Sequence, residues 1–173
     1  MSLDKAFAIV LCAPVVDADI SVPLYPNDRY NEVLACKNRM VMTEKYLVWK
    51  LLEKVVTERL RLNFDNLKFT KTDNGQWVCP DLHFSLSHAD GLLCVAVSDE
   101  PIGVDVEAVK RIRPEIEARI LTDREREFIR SATGEERDKY LLESWVKKES
   151  IFKKNGGNQK RKKRNKVGKV RYF

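Results

Sequence analysis

Apolar positions along this chain follow two periods, one typical of strands and one typical of helices. Short β-branched and aromatic runs predict strands, and stripes with a period near 3.6 residues predict helices. Strands are expected at 6–16, 83–88, 92–98 and 102–107, with a further short strand at 166–173. Helices are expected over 29–60 (as one helix or two), 113–130 and 134–154. Since the two kinds of element interleave without a regular βαβ repeat, the predicted class is α+β.

Local signals fix several boundaries of these elements. The pair Asn74-Gly75 lies between polar residues and is the usual signal of a hairpin turn. Thr122 followed three residues later by Glu125 predicts a capped helix start. The run Asn155-Gly156-Gly157 predicts the end of the last helix.

The net charge of +6 is concentrated at one end of the chain. Nine of the 32 basic residues lie in 154–173 without an acid, which leaves 23 basic against 26 acidic residues, a net charge of −3 for the rest. The run KRKKR is compatible with contact to nucleic acid, an anionic membrane or an acidic protein, and equally with a solvated tail. Because the body is slightly acidic and lacks an aromatic-basic pattern, nucleic-acid binding is disfavoured.

The cysteines and the apolar runs limit the cellular setting. Four cysteines are spread without a CxxC pair and the chain has two histidines, which argues against a zinc site. No apolar run approaches the roughly 20 residues of a membrane span, and the start lacks the basic front of a secretory signal. We expect reduced thiols in a cytoplasmic protein without a membrane partner.

Three carboxylates carry the candidate chemistry. Asp105 and Glu107 project to one face of a strand, and Glu149 shares a helical stripe with Trp145 and Lys153. If strand and helix pack together, the oxygen ligands favour a hard ion such as Mg²⁺, which points to phosphate chemistry. The plain alternatives are solvent-facing carboxylates on an edge strand and an ordinary i,i+4 surface pair.

Three ordered motifs over residues 84–153 resemble the 4′-phosphopantetheinyl transferase superfamily, specifically its longer, surfactin-synthetase-activating class. They are Phe84-Ser85-Leu86-Ser87-His88, then Gly103-Val104-Asp105-Val106-Glu107, then Trp145-Val146-Lys147-Lys148-Glu149-Ser150-Ile151-Phe152-Lys153. The resemblance implies two similar halves, 1–100 and 101–173, each with a small antiparallel sheet packed on helices. Coenzyme A would lie in the cleft between them.

The resemblance also implies a reaction and its partners. A monomeric, Mg²⁺-dependent enzyme would move 4′-phosphopantetheine from coenzyme A to a serine of an acyl or peptidyl carrier protein, and release 3′,5′-ADP. Its metal ligands would be Asp105, Glu107 and Glu149. Its catalytic residues would be Glu149 as the general base, with Lys153 and Asp105. Its coenzyme A contacts would be His88, Ser87, Lys153, Lys45, Arg39 and Lys37.

The chain departs from the family pattern at two places. Gln76 stands where the family often has a basic residue, and only 20 residues follow Lys153. These departures favour an alternative from another class, a non-catalytic module that binds coenzyme A or a nucleotide on the same fold.

Overall fold

The structure is a computed structural model that describes residues 6–108, residue 117 and residues 120–156. Its strands are β1 (Ala8–Pro14), β2 (Thr70–Lys71), β3 (Trp77–Val78), β4 (His83–Ala89) and β5 (Leu92–Ser98). Its helices are α1 (Asn27–Leu34), α2 (Arg39–Lys54), α3 (Asp123–Phe128) and α4 (Gly134–Lys154). The predicted strand at 166–173 and the run KRKKR lie outside the described residues. The mixed α+β character is confirmed.

The larger sheet is antiparallel, with strand order β1-β5-β4. Asp90 and Gly91 join β4 to β5 with φ values of 47° and 84°, which is the backbone that a two-residue hairpin turn requires. Strands β2 and β3 form a separate hairpin whose turn contains Gly75 at φ 81°, so the predicted turn is confirmed.

Helix α2 covers one face of the larger sheet. Asn38 caps its start by accepting a hydrogen bond from the amide of Val41 at 3.1 Å. Trp49 and Leu52 are fully buried on the sheet side, and Trp49 packs against several aromatic rings, including that of Phe84 at 6.0 Å between centroids. The predicted helical region at 29–60 contains two α-helices, because the residues between Leu34 and Arg39 are not helical.

The residues after 100 have their own, smaller core. Ile120, Leu121, Ile129 and Leu141 are buried together between α3 and α4. Thr122 and Glu125 form the predicted capping box at the start of α3. Every strand among the described residues lies between positions 8 and 98. The sheet predicted for the second half, 101–173, and the division at 100/101 therefore stay predictions.

The segment IGVDVE is not a strand, which corrects the prediction for 102–107. Its amides do not join a strand ladder: those of Val104 and Val106 donate to the hydroxyls of Ser85 and Ser87 on β4, at 3.0 and 3.2 Å. Serine side chains thus take the hydrogen bonds that a neighbouring strand's carbonyls would have accepted. The segment lies along the sheet without extending it.

The prediction of reduced thiols is wrong for one pair of cysteines. Cys12 and Cys94 are direct partners in the β1–β5 register and are joined by a disulfide. Cys36 and Cys79 are free thiols. Among the described helices, none has the length and apolar character that a membrane crossing needs.

Candidate active site

A cavity of about 270 Å³ lies where β4, the IGVDVE segment and the last turns of α4 meet. Six residues predicted from the sequence line it. They are Ser87, His88, Asp105, Glu107, Glu149 and Lys153. Residues as far apart along the chain as Ser87 and Lys153, 66 positions, thus line one cavity, although their roles stay predictions.

Gly103 allows the IGVDVE segment to lie against α4. A Cβ atom at this position would lie 1.9 Å from the carbonyl oxygen of Ser150 and 2.6 Å from the amide nitrogen of Lys154. Both are backbone atoms that a side-chain rotation cannot move. Only a glycine therefore permits this approach, which sets Asp105 beside the end of α4.

Lys153 binds Asp105 and not the carboxylate one turn before it on α4. Its Nζ donates to Asp105 Oδ1 at 2.7 Å, to Ser87 Oγ at 3.0 Å and to the carbonyl of Leu86 at 3.3 Å. Ser87 Oγ in turn donates to Asp105 Oδ1 at 2.8 Å. An ordinary surface pair between Glu149 and Lys153 is thus not what the structure shows.

Asp105 uses its two carboxylate oxygens very differently. The side chain is 8% exposed, and Oδ1 accepts from both Lys153 and Ser87. The other oxygen, Oδ2, is buried and has no hydrogen-bond partner among the described residues. A buried carboxylate oxygen without a partner is unfavourable, and a cation is one group that would satisfy it.

The cavity's donor set has the chemistry of a hard-cation site. Asp105, Glu107 and Glu149 offer carboxylate oxygens, the ligands that Mg²⁺ prefers. Within residues 6–108, 117 and 120–156, however, no three acidic, histidine or cysteine side chains are grouped as a preformed metal site. The residues present fit the ion chemically but are not drawn together around a common point.

His88 lines the cavity, and its ring contacts Glu44, a residue that the sequence analysis did not identify. Its Nδ1 is 3.0 Å from Oε2 of Glu44 on α2. The available signal was positional: Glu44 precedes Val48 and Leu52 by four and eight residues, and so occupies the apolar stripe of its helix. A carboxylate at such a position needs a buried partner.

Comparison with known proteins points to the same family as the sequence motifs. Residues 101–165 match the family model of the 4′-phosphopantetheinyl transferase superfamily. The chain is 32% identical over 109 residues to the 4′-phosphopantetheinyl transferase ffp of Bacillus subtilis, across 61% of this chain and 49% of the relative. It is 29% identical to Sfp of Bacillus subtilis strain 168 with the same coverage, and 29% identical to gsp of Aneurinibacillus migulanus across 61% and 45%.

The chain is similar to the 4′-phosphopantetheinyl transferases over part of its length. The predicted resemblance to this superfamily and to its longer class is confirmed. The chain spans about half the length of the curated relatives it matches.

Three residues expected to bind coenzyme A, as in the transferase family, do not line the cavity in the described structure. Lys45 Nζ lies 3.8 Å from Oε1 of Glu32 on α1, and the side chains of Lys37 and Arg39 are exposed. Their predicted contact with coenzyme A is neither supported nor tested by this arrangement.

Glu32 is the centre of a second polar cluster. Its carboxylate accepts from Arg29 at 3.1 Å, from Lys71 at 2.9 Å and from the indole of Trp77 at 2.8 Å. Burial alone would raise the pKa of Glu32, but the hydrogen bonds from Lys71 and Trp77 and the charge of Arg29 outweigh it and hold the pKa below its ordinary value.

Two motif positions have structural contacts that the sequence did not reveal. The side-chain amide of Gln76, the position expected from the family pattern to be basic, donates to the carbonyl of Lys153 at 3.4 Å. Gln76 therefore contacts the end of α4. Lys148 donates to Glu125 at 2.8 Å and also to the carbonyl of Ile120. Burial would raise the pKa of Glu125, but Lys148 and Thr122 together lower it. Lys148 thus joins α4 to the cap of α3.

Proposed function

We propose that this chain carries out, or contributes to, the Mg²⁺-dependent transfer of 4′-phosphopantetheine from coenzyme A to a serine of an acyl or peptidyl carrier protein. The observation that supports this most is the contact of Lys153 with Asp105 and Ser87 in a cavity that Glu107 and Glu149 also line. An ammonium, three carboxylates and a histidine at one cavity suit a pyrophosphate and its counter-ion.

In the proposed reaction the carrier serine oxygen attacks the phosphorus that bears the pantetheine arm. A new P–O bond to serine forms, and the P–O bond to 3′,5′-ADP breaks. Glu149 is the proposed base and takes the proton of the serine hydroxyl, while 3′,5′-ADP leaves with the electron pair of the broken bond. Catalysis is then mostly positioning and charge stabilisation.

The proposed metal ligands are Asp105, Glu107 and Glu149. When bound there, Mg²⁺ would neutralise and orient the pyrophosphate of coenzyme A. The unpartnered Oδ2 of Asp105 supports this assignment, since its neighbour Oδ1 is already held by Lys153 and Ser87.

The proposed phosphate contacts lie at two distances from the cavity. Lys153, His88 and Ser87 line it and are the proposed direct contacts to phosphate oxygens. Lys45, Arg39 and Lys37 would act from α2 and its approach, and Lys45 would have to exchange Glu32 for the ligand.

The transfer itself is tested by mass spectrometry of the acceptor. The full chain is incubated with coenzyme A, Mg²⁺ and a panel of fatty-acid, polyketide and peptide-synthetase carrier proteins. A gain equal to one phosphopantetheine on a carrier supports the proposal. No gain on any carrier, with the chain folded by circular dichroism, contradicts it.

A second candidate function is a non-catalytic module that binds coenzyme A or a nucleotide. Two observations favour it: the three carboxylates are not grouped as a metal site among the described residues, and Gln76 contacts α4 in place of a base. Calorimetry that shows coenzyme A binding beside a failed transfer assay would select this alternative.

The wider setting is also part of the proposal. We propose two similar halves that meet near residue 100, a monomer, and a cytoplasmic location. The separate small core of Ile120, Leu121, Ile129 and Leu141 supports the two halves. Light scattering of the purified chain tests the monomer.

A further inference from the structure

Glu44 is a buried carboxylate to which the proposed reaction gives no role. It is 4% exposed and lies on the face of α2 that packs against β4 and β5. A carboxylate in such a position is unfavourable unless its oxygens are hydrogen-bonded. An apolar residue would suit this stripe better for stability alone, so the position calls for another explanation.

Both oxygens of Glu44 bind groups of the β4–β5 hairpin. Oε1 accepts from the backbone amide of Gly91 at 2.9 Å, and Oε2 is 3.0 Å from Nδ1 of His88. Because the carboxylate accepts hydrogen bonds, Nδ1 is the nitrogen that carries the proton in this contact. The contact leaves Nε2 as the ring nitrogen for the cavity.

The hairpin has other support besides Glu44. Strands β4 and β5 pair over their full length, and the Val15 amide donates to the carbonyl of Gly91 at 2.7 Å on the other side of the turn. The turn conformation is therefore fixed by the sheet and by its Asp90-Gly91 sequence. The His88 ring, which is 24% exposed, is the side chain of the hairpin that Glu44 contacts.

We propose that Glu44 is a positioning residue, which holds the His88 ring so that Nε2 faces a phosphate group bound in the cavity. The identity of that phosphate rests on the proposed function, but the orientation of the ring does not. His88 follows Ser87, whose hydroxyl binds Lys153 and Asp105. Glu44 on α2 thus acts on a residue that lines the cavity.

Nitrogen NMR of the imidazole rings tests this orientation without any ligand. The chain has two histidines, and His83 is exposed, so a His83→Asn variant assigns the remaining signals to His88. In the full chain we expect the proton on Nδ1 of His88. In Glu44→Gln, whose amide presents one acceptor in place of two, we expect a changed pattern of the two His88 nitrogens. An unchanged pattern would overturn the proposal.

A double-mutant cycle tests whether Glu44 acts through His88. Coenzyme A affinity is measured for the full chain, Glu44→Gln, His88→Ala and the double variant. Glu44→Gln should weaken binding about tenfold, as expected for a hydrogen bond to a charged group. The same change in the His88→Ala background should have no further effect. An equal loss in both backgrounds would show a merely structural role.

The control is a carboxylate on the same helix that pairs only at the surface. Glu53 binds Lys50 on α2 at 2.5 Å with about a third of its side chain exposed, and Glu53→Gln should leave both the His88 signals and the affinity unchanged. If Glu44→Gln does not fold, Glu44→Asp replaces it, because it keeps the charge but withdraws the carboxylate by one methylene. It should change the His88 signals in the same experiment.

The two proposals fail in different ways. If the full chain binds no coenzyme A, the proposed function fails, while the NMR comparison still decides the role of Glu44. If coenzyme A binds and Glu44→Gln leaves the His88 ring unchanged, the positioning role fails and the proposed function stands.

Discussion

Two carboxylates of this molecule, Glu32 and Asp105, each bind a lysine, yet only Asp105 has a carboxylate oxygen without a hydrogen-bond partner among the described residues. Glu32 on α1 accepts from Arg29 on one oxygen and from Lys71 and Trp77 on the other. Asp105 accepts from both of its partners on Oδ1, and its buried Oδ2 has none among the described residues.

This difference separates a structural centre from a candidate active centre. The bonds of Glu32 join α1 to the β2–β3 hairpin and leave little capacity for a ligand. Asp105 is the more deeply buried of the two, with 8% of the side chain exposed against 27%, and still has an unused acceptor. Because burying an unsatisfied carboxylate oxygen costs stability, such a group is a candidate for function.

The largest expected effect concerns Glu149 in the Asp105 cavity. Glu149→Gln keeps the size of the side chain but removes the charge, so transfer to a carrier should fall at least ~10²-fold while the fold persists. The matched control is Glu143→Gln on the same helix, whose carboxylate lies 3.9 Å from Lys147 at the surface. A near-normal transfer rate in Glu149→Gln would remove this helix from the active site.

The next effect concerns the packing that brings Asp105 to Lys153. Gly103→Ala places a Cβ against backbone atoms of α4, so we expect a loss of about 1–3 kcal/mol in the free energy of unfolding. Denaturant titration measures it. Ser150→Ala, which leaves the facing backbone in place, should stay within about 0.5 kcal/mol. An equal effect of the two variants would contradict the close approach.

A smaller, pH-dependent effect is expected at Glu32. Glu32→Gln should cost about 1–2 kcal/mol near neutral pH, since it removes the charge that Arg29 and Lys71 pair with at a partly exposed site. Because the pKa of Glu32 is lowered on folding, its contribution is present above the ordinary value of 4.5 and is lost as the pH falls through the folded pKa.

Denaturant titrations of the native chain and Glu32→Gln from neutral to acidic pH measure this difference. The two stability curves should converge below the ordinary pKa of a glutamate. A difference that grows on acidification would show that the sign of the pKa shift is wrong. Coenzyme A binding should not weaken, because Glu32 does not line the Asp105 cavity and its replacement frees Lys45, a proposed phosphate contact.

The sequence predicted the groups of the cavity better than the way in which the chain holds them. Asp105, Glu149 and Lys153 follow from periodicity and from family motifs, and those signals are local. The partner of Lys153 was not predictable, because it depends on Gly103 admitting the IGVDVE segment to α4. The contact between Glu44 and His88 joins a helix to a hairpin 44 residues away, which no local pattern specifies.

Contacts between distant parts of the chain also explain the errors in the predicted fold. Residues 102–107 have the composition of a strand, but two of their backbone amides donate hydrogen bonds to the hydroxyls of Ser85 and Ser87 instead of to a neighbouring strand. The reduced state expected for the cysteines was inferred from the cellular setting, whereas the pairing of Cys12 with Cys94 depends on the register of β1 with β5. Secondary structure was predictable where caps and turns decide it, as at Thr122 and Gly75.

The most direct test of the comparison is divalent-cation binding at Asp105 against Glu32. Mn²⁺, as a paramagnetic substitute for Mg²⁺, is titrated in the presence of coenzyme A and followed by electron paramagnetic resonance. We predict that the native chain and Glu32→Gln bind the ion alike, and that Asp105→Asn and Glu107→Gln, each folded by circular dichroism, bind it at least about tenfold more weakly. Unchanged binding in folded Asp105→Asn would contradict the account.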